Sequence, residues 1–331
     1  MSRVAVIGAG AWGTALALAA HRAGHAVRLW AHEPEVAAAI DERHENPAYL
    51  PGVALPPAIA ATADLAAAAD AELLLLVTPA QRLREVAARL APHWPPGAPA
   101  VICAKGIEED SGALLTEALA AVLPGAPQAV LSGPTFAREV AAELPTAATV
   151  AATDPTLAAR LVEALATRCF RLYSGDDPVG VQVGGAVKNV IAIAAGVVEG
   201  KRLGDNARAA LITRGLAETG RLAMALGARP QTLMGLAGLG DLTLTCSARQ
   251  SRNFSLGIAL GEGRALAAIL GERRSVAEGV FTARSVGTLA RRLGVDMPIC
   301  AAVERVLHEG ADLGAEIEGL LARPFTAEAG R

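Results

Sequence analysis

The chain has 331 residues, 52% of them hydrophobic and 3% aromatic, an apolar share that excludes a disordered chain and supplies one large or two ordinary domains with real cores. It carries 30 basic and 33 acidic residues for a net charge of −3, with no block of like charge, so nothing marks a nucleic-acid face. Cys103, Cys169, Cys246 and Cys300 are scattered without a C-x-x-C or metal spacing, which fits free thiols in a reducing cytoplasm.

Residues 3–20 begin like a signal peptide, with a basic residue and an apolar stretch. Gly8, Gly10 and Gly13 interrupt that stretch where a secretory segment needs unbroken helix, and it divides better into strand, turn and helix. The most apolar later window, 181–198, contains Lys188 and Asn189, so no membrane insertion is expected. Strand-like runs follow at 26–30, 73–77, 100–104, 129–131 and 147–151, after the first at 3–7. Helix-like stretches lie at 12–23, 34–43, 64–69, 81–91 and 111–122, with Pro-rich loops at 51–57 and 92–99. Such alternation predicts a parallel sheet covered by helices, and the unbroken apolar runs VAVIG and LLLLV suit strands buried on both faces. Beyond Pro178 the strand pattern stops and helical stretches take over, at 179–200, 206–227, 230–238, 252–261, 263–270, 280–293 and 299–308. The expected architecture is α/β: an N-terminal Rossmann-type parallel-sheet domain over residues 1–178, then an all-helical substrate and catalytic domain over 179–331.

Gly8-x-Gly10-x-x-Gly13 follows the first strand and opens a helix. The first glycine makes the tight turn, the second lets backbone approach a pyrophosphate, and the third lets helix and strand pack closely. The phosphates then meet free N–H groups and the positive end of the helix dipole. Cofactor choice is read about 20 residues further on, where the sequence has His32 and Glu33. A histidine there, with Arg28 nearby, suits a 2′-phosphate and Glu33 suits a ribose hydroxyl; the reading leans to NADP(H) with NAD(H) tolerated.

The stretch 184–200, GGAVKNVIAIAAGVVEG, is a nearly all-apolar helix holding one lysine. A lysine buried there requires a partner or a shifted pKa, and a lysine so tuned is a general acid or base. Asp241, on a bend forced by the glycines of GLAGLGD, is the candidate partner. Ser251-Arg252-Asn253 follows as a candidate helix start with an arginine fork suited to phosphate. Lys105, in CAKGIE, and the Gly-Pro turn of LSGPTFAREV both follow strands, at the end of the sheet where ligands bind in open α/β folds.

In order along the chain, GAGAWGTALA, LWAHEPE, NPAYLPG, AKGIE, LSGPTFAREVA, GGAVKNVIAIAAG, DNARAALITRGLAE, GLAGLGDLTLTC, SRNF and VAEGV resemble bacterial NAD(P)-dependent sn-glycerol-3-phosphate dehydrogenase over nearly the whole length. The segment around Lys188 is that family's own signature. Ala11 stands where many members have Ser, and His32 where many have Arg. The resemblance implies interconversion of dihydroxyacetone phosphate and glycerol 3-phosphate for phospholipid synthesis, by a cytoplasmic homodimer. It implies that Lys188 is the acid/base and that Lys105 contacts both substrate and cofactor. Gly133 and Thr135 look like substrate contacts, and Asp241, Ser251, Arg252 and Asn253 resemble the substrate pocket, with Asn189 and Thr245 beside it. Trp12, His32, Tyr49, Ala137, Arg252, Val276 and Glu278 look like cofactor positions, joining Gly8, Gly10, Ala11 and Gly13.

The chemistry so implied is a gripped phosphate, hydride delivery to the ketone, proton donation by Lys188 and charge stabilisation by Lys105, with Asp241 orienting Lys188. The lysines supply the electrophile, so no metal is expected, and the six histidines are scattered. One rival reading is a two-domain dehydrogenase for a hydroxy acid or an opine, against which Arg252, Asn253 and the Lys188 signature argue. Another is a dinucleotide sensor without turnover, which would keep the three glycines and lose the lysines.

Overall fold

The computed structural model describes residues 2–272 and 277–324. Eight strands form one sheet: β1 (Arg3–Ile7), β2 (Ala26–Trp30), β3 (Ile59–Thr62), β4 (Leu73–Leu76), β5 (Ala100–Ile102), β6 (Gln128–Ser132), β7 (Thr146–Ala151) and β8 (Phe170–Gly175). Their spatial order is β3-β2-β1-β4-β5-β6-β7-β8. Every neighbouring pair is parallel except β6–β7. Helices α1 (Ala11–Arg22), α2 (Pro34–Arg43), α3 (Leu65–Ala68), α4 (Leu83–Leu90), α5 (Leu115–Ala120), α6 (Ala137–Ala141) and α7 (Pro155–Leu165) cover it.

Side chains alternate across the central strands. Val4, Val6, Leu73, Leu75 and Val101 face a core shared with Leu16, Leu18, Ile40 and Leu161. Ala5, Ile7, Leu74, Leu76 and Ile102 face the other, with Leu83, Leu90, Leu115 and Leu119. Both faces being buried is what makes these strands read as unbroken apolar runs. The six expected strands are present, and two outer ones, β3 and β8, were not anticipated. β3 (IAAT) is short and alanine-rich. In β8 only Phe170 and Leu172 point inward, while Arg171 and Tyr173 face solvent, so it shows no apolar run. The antiparallel β6–β7 pair departs from the all-parallel expectation: its connection holds only the five-residue α6, where parallel returns usually carry a full crossover helix.

The sheet ends at Gly175, and the rest of the described chain is helical: α8 (Pro178–Gly200), α9 (Asp205–Ala225), α10 (Pro230–Leu233), α11 (Asp241–Ser247), α12 (Arg252–Gly261), α13 (Leu266–Gly271), α14 (Glu278–Leu293), α15 (Pro298–Glu304) and α16 (Leu313–Leu321). Pro178 sits at the first helical position of α8, and the Asp177 carboxylate accepts from Gly180 N at 2.8 Å, a proline-plus-cap start. The same carboxylate accepts from Arg229 N and Thr232 Oγ1, tying α10 to the head of α8. α8 is buried on all sides from Gly180 to Val198. Among the described residues it alone is long and apolar enough to cross a membrane, and its apolar window is wholly enclosed by protein.

α12 crosses α8 at backbone contact. A Cβ on Gly196 would overlap the Phe254 carbonyl oxygen, and one on Gly257 the Ile193 carbonyl oxygen. The helix expected over 230–238 is broken after Leu233, where the glycines admit a wide π-type turn at Leu236–Gly240 before α11. That turn delivers Asp241 as the first residue of a helix, on the bend the glycines foretold.

Candidate active site

The three glycines of the first turn behave differently. Gly8 has φ +122°, and a Cβ there would lie 2.8 Å from Val77 O. A Cβ on Gly13 would overlap the Gly8 carbonyl oxygen, so α1 packs directly on the turn. Gly10 has nothing within 4 Å of its Cβ direction and heads α1 without a side-chain cap, leaving backbone N–H groups for an anion. An open cradle at Gly10 between two closed positions fits a dinucleotide pyrophosphate. Ala11 and Trp12 begin α1, and the Trp12 indole N–H is enclosed with no partner among the described residues.

Asn46, in the NPAYLPG segment, is wholly buried and was missed as a site residue. It donates to Ala9 O and to Thr14 Oγ1, both at 2.8 Å, and its Oδ1 accepts from Tyr49 N at 3.2 Å. It pins the glycine turn to the loop that carries Tyr49. An Asn-Pro pair reads as turn chemistry in sequence, which is why its inward bonds went unseen.

At the end of β2, Tyr49 OH donates to Glu33 Oε1 at 2.9 Å, and that bond holds the phenol above its ordinary pKa. The His32 ring stands edge-on to Trp30, centroids 6.0 Å apart. His32 and Glu33 therefore both lie just beyond the end of β2, with Glu33 already engaged by Tyr49. Val276 lies outside the described residues.

The two lysines meet on one carboxylate. Lys188, nearly three turns into α8, donates to Asp241 Oδ1 and, at 3.0 Å, to Thr245 Oγ1 one turn along α11. Lys105, after β5, donates to Asp241 Oδ2 at 2.7 Å and to Gly133 O at 2.9 Å. The Asp241 side chain is 1% exposed and Lys188 8%. Burial draws Lys188 down from 10.5 to about 7, Asp241 opposing and the Lys105 charge adding to the fall. An ammonium has three N–H groups, and two on each lysine are committed among the described residues. One remains on each for a ligand oxygen.

Gly133 also accepts from Thr135 Oγ1 at 3.2 Å, and a Cβ on it would lie 2.8 Å from Ala148 Cα. Ala137 opens α6 and shares a core with Ala11 and Trp12. The Asn189 amide lies 3.4 Å from Lys105 O, and Asn253 donates to Asn189 Oδ1 at 2.9 Å while accepting from Gly279 N at 3.0 Å. These two asparagines thus bond inward and stitch α8, α12 and α14 behind the lysines. Ser251 caps α12, its Oγ accepting from Phe254 N, so Arg252 and Asn253 form the first turn. Glu278, first in α14, has one carboxylate oxygen enclosed without a partner among the described residues; burial raises its pKa, opposed by a hydrogen bond from the Ala80 backbone and then by the Arg252 charge. The structure therefore brings Lys105, Gly133, Thr135, Lys188, Asn189, Asp241, Thr245 and Asn253 into one connected group, with Arg252 and Glu278 electrostatically coupled. Tyr49 and Glu33 pair separately, beside His32 at the end of β2.

Comparison with known proteins bears on both ends of the chain. The family model for the NAD-dependent glycerol-3-phosphate dehydrogenase N-terminus matches residues 3–158, and that for the C-terminus matches 177–318. A glycerol-3-phosphate dehydrogenase [NAD(P)+] of Rhodospirillum rubrum is 62% identical, covering 100% of this chain and 95% of its own. One of Caulobacter vibrioides is 57% identical over 99% of each. The crystal structure of glycerol-3-phosphate dehydrogenase from Coxiella burnetii superposes with TM-score 0.94 at 41% identity, covering 97% of this chain and 99% of that one. With matches of this extent over both its Rossmann-like domain and its helical part, the chain belongs to the NAD(P)-dependent glycerol-3-phosphate dehydrogenase family of oxidoreductases.

Proposed function

We propose that the protein reduces dihydroxyacetone phosphate to sn-glycerol 3-phosphate, reversibly, with Lys188 as general acid. The observation that carries this reading is one buried carboxylate, Asp241, shared by two lysines, one on each oxygen. NADP(H) or NAD(H) would be held by Gly8, Gly10, Ala11, Trp12 and Gly13 on the Rossmann-like domain, residues 1–178, with His32, Glu33 and Tyr49 at its ribose and Ala137, Arg252 and Glu278 further along. Bound there, the nicotinamide supplies the hydride for a carbonyl carbon.

The chain's own residues do the rest. The first turn of α12 grips the substrate phosphate with Arg252, and with the Asn253 amide hydrogen not given to Asn189, and that remote grip orients the ketone. Gly133 and Thr135 flank it at the end of β6. Lys105 places a fixed positive charge where the carbonyl oxygen becomes negative. Lys188 gives that oxygen a proton, leaving its amine neutral against Asp241; in the reverse direction the neutral amine takes the hydroxyl proton. A lysine near pH 7 is poised for both directions. Asp241 and Thr245 orient Lys188. The resemblance extends the reading to a cytoplasmic homodimer feeding glycerophospholipid synthesis, with the substrate at the junction of residues 1–178 and 179–331.

The test is steady-state kinetics of Lys188→Ala. Loss of at least about 10²-fold in kcat is expected for removal of a general acid. A folded variant with near-normal kcat would contradict the role.

A further inference from the structure

We propose that Gln81 is a positioning residue for the reaction, its side-chain amide fixing the loop that carries Lys105. The assignment rests on the reading of Lys105 as the group that stabilises charge on the carbonyl oxygen. Gln81 lies in the short helical turn Ala80–Arg82 just after β4, and neither its type nor its place in the sequence singles it out. Its Nε2 donates to Ile107 O at 2.9 Å, and its Oε1 accepts from Glu109 N at 2.8 Å. One partner is a carbonyl and the other an N–H, so only one orientation of the amide satisfies both. The loop also runs flush against this turn: a Cβ on Gly106 would lie 2.5 Å from Ala80 Cβ.

The far side of the loop is held by the helical part. Ser285 Oγ of α14 is 3.1 Å from the same Ile107 carbonyl. The Ile107 side chain is wholly buried in the helical core, alongside Val187 and Val190. The Ile107 carbonyl is therefore the point at which a residue after β4 and a residue of α14 both grasp the chain two positions beyond Lys105. The ion pairs further out, Arg84–Glu108 and Arg284–Glu109, are partly exposed and contribute less to its placement. At the inner end, Lys105 must reach Asp241 Oδ2 and Gly133 O at 2.7 and 2.9 Å. A shift of the loop by about 1 Å takes these contacts out of hydrogen-bond range.

Gln81→Met keeps the volume and removes both hydrogen bonds. In the full-length enzyme we expect kcat for ketone reduction to fall about 10- to 100-fold, the scale of a misplaced catalytic group, with KM for NADPH little changed. The nearby Lys105 charge helps to lower the Lys188 pKa, which Asp241 raises. Withdrawal of Lys105 therefore moves the falling limb of the kcat–pH profile to higher pH, a shift that simple loss of stability does not produce. Gln81→Glu keeps the bond from Glu109 N–H and loses the donation to Ile107 O. It should show the same shift in smaller measure, and it decides the matter if Gln81→Met does not fold. Lys105→Met is measured alongside. If it keeps wild-type kcat, the reading of Lys105 fails and the assignment of Gln81 falls with it. If Lys105→Met is impaired while the folded Gln81 variants keep wild-type kcat and pH profile, the assignment of Gln81 alone is overturned. A Gln81→Met/Lys105→Met double variant no slower than Lys105→Met completes the expected result.

Discussion

Burial draws the Lys188 ammonium from 10.5 to about 7 against the pull of Asp241, and both rate and stability follow from that. Reduction starts from the protonated amine, so kcat for ketone reduction should fall as pH rises through about 7, while oxidation of glycerol 3-phosphate should rise. Parallel pH profiles that move in the same direction would contradict this. For stability the sign is also fixed. The unfolded chain holds this proton more tightly than the folded one, so the group costs stability fully below about pH 7, and the cost fades toward pH 10.5. Lys188→Met, close in volume, should abolish turnover, and its melting temperature relative to the wild type should fall as pH rises from 7 toward 10. Arg252→Ala should weaken dihydroxyacetone phosphate far more than glyceraldehyde; equal losses in kcat/KM would count against a phosphate grip. At this scale a lone lysine in an apolar helix and its carboxylate partner were legible, because a buried charge demands an explanation. That Lys105 shares the same carboxylate was not, since it joins residues far apart in sequence. Asn46 and Gln81 were hidden because they bond chiefly to main chain, which no side-chain pattern displays.

Among elements, glycine carries the close approaches. Gly10→Ala meets open space and should leave the melting temperature unchanged while weakening NAD(P)H binding. Gly13→Ala drives a methyl into the Gly8 carbonyl and should destabilise the fold itself. A fluorescence titration beside a thermal melt distinguishes the two; equal melting losses would refute the division of labour. Where α12 crosses α8, Gly257→Val should cost about 1–3 kcal/mol or more, as overpacking does, read by chemical denaturation. The fingerprint glycines were readable because a strand and a helix flank them. The α8–α12 contact was not, because Gly196 and Gly257 look like ordinary helical glycines until the two helices are brought together. β3 and β8 escaped for the opposite reason: outer strands bury too little to leave an apolar run.

Over the whole molecule, the change from alternating strands to continuous helix near Pro178 was visible in the pattern of apolar runs along the chain. How the two parts meet was not. Ile107 and Leu114 leave the sheet side to join the helical core, and Asp241 reaches back to Lys105, so the proposed site exists only when both parts are in place. The measurement that tests the central claim most directly is nicotinamide absorbance with purified protein, dihydroxyacetone phosphate and NADPH, with NADH in parallel. Rapid oxidation of at least one cofactor is the expected result, and the ratio of the two rates reads the balance between His32 and Glu33. Binding of NADPH by folded protein with no oxidation of either cofactor would contradict the proposed reaction.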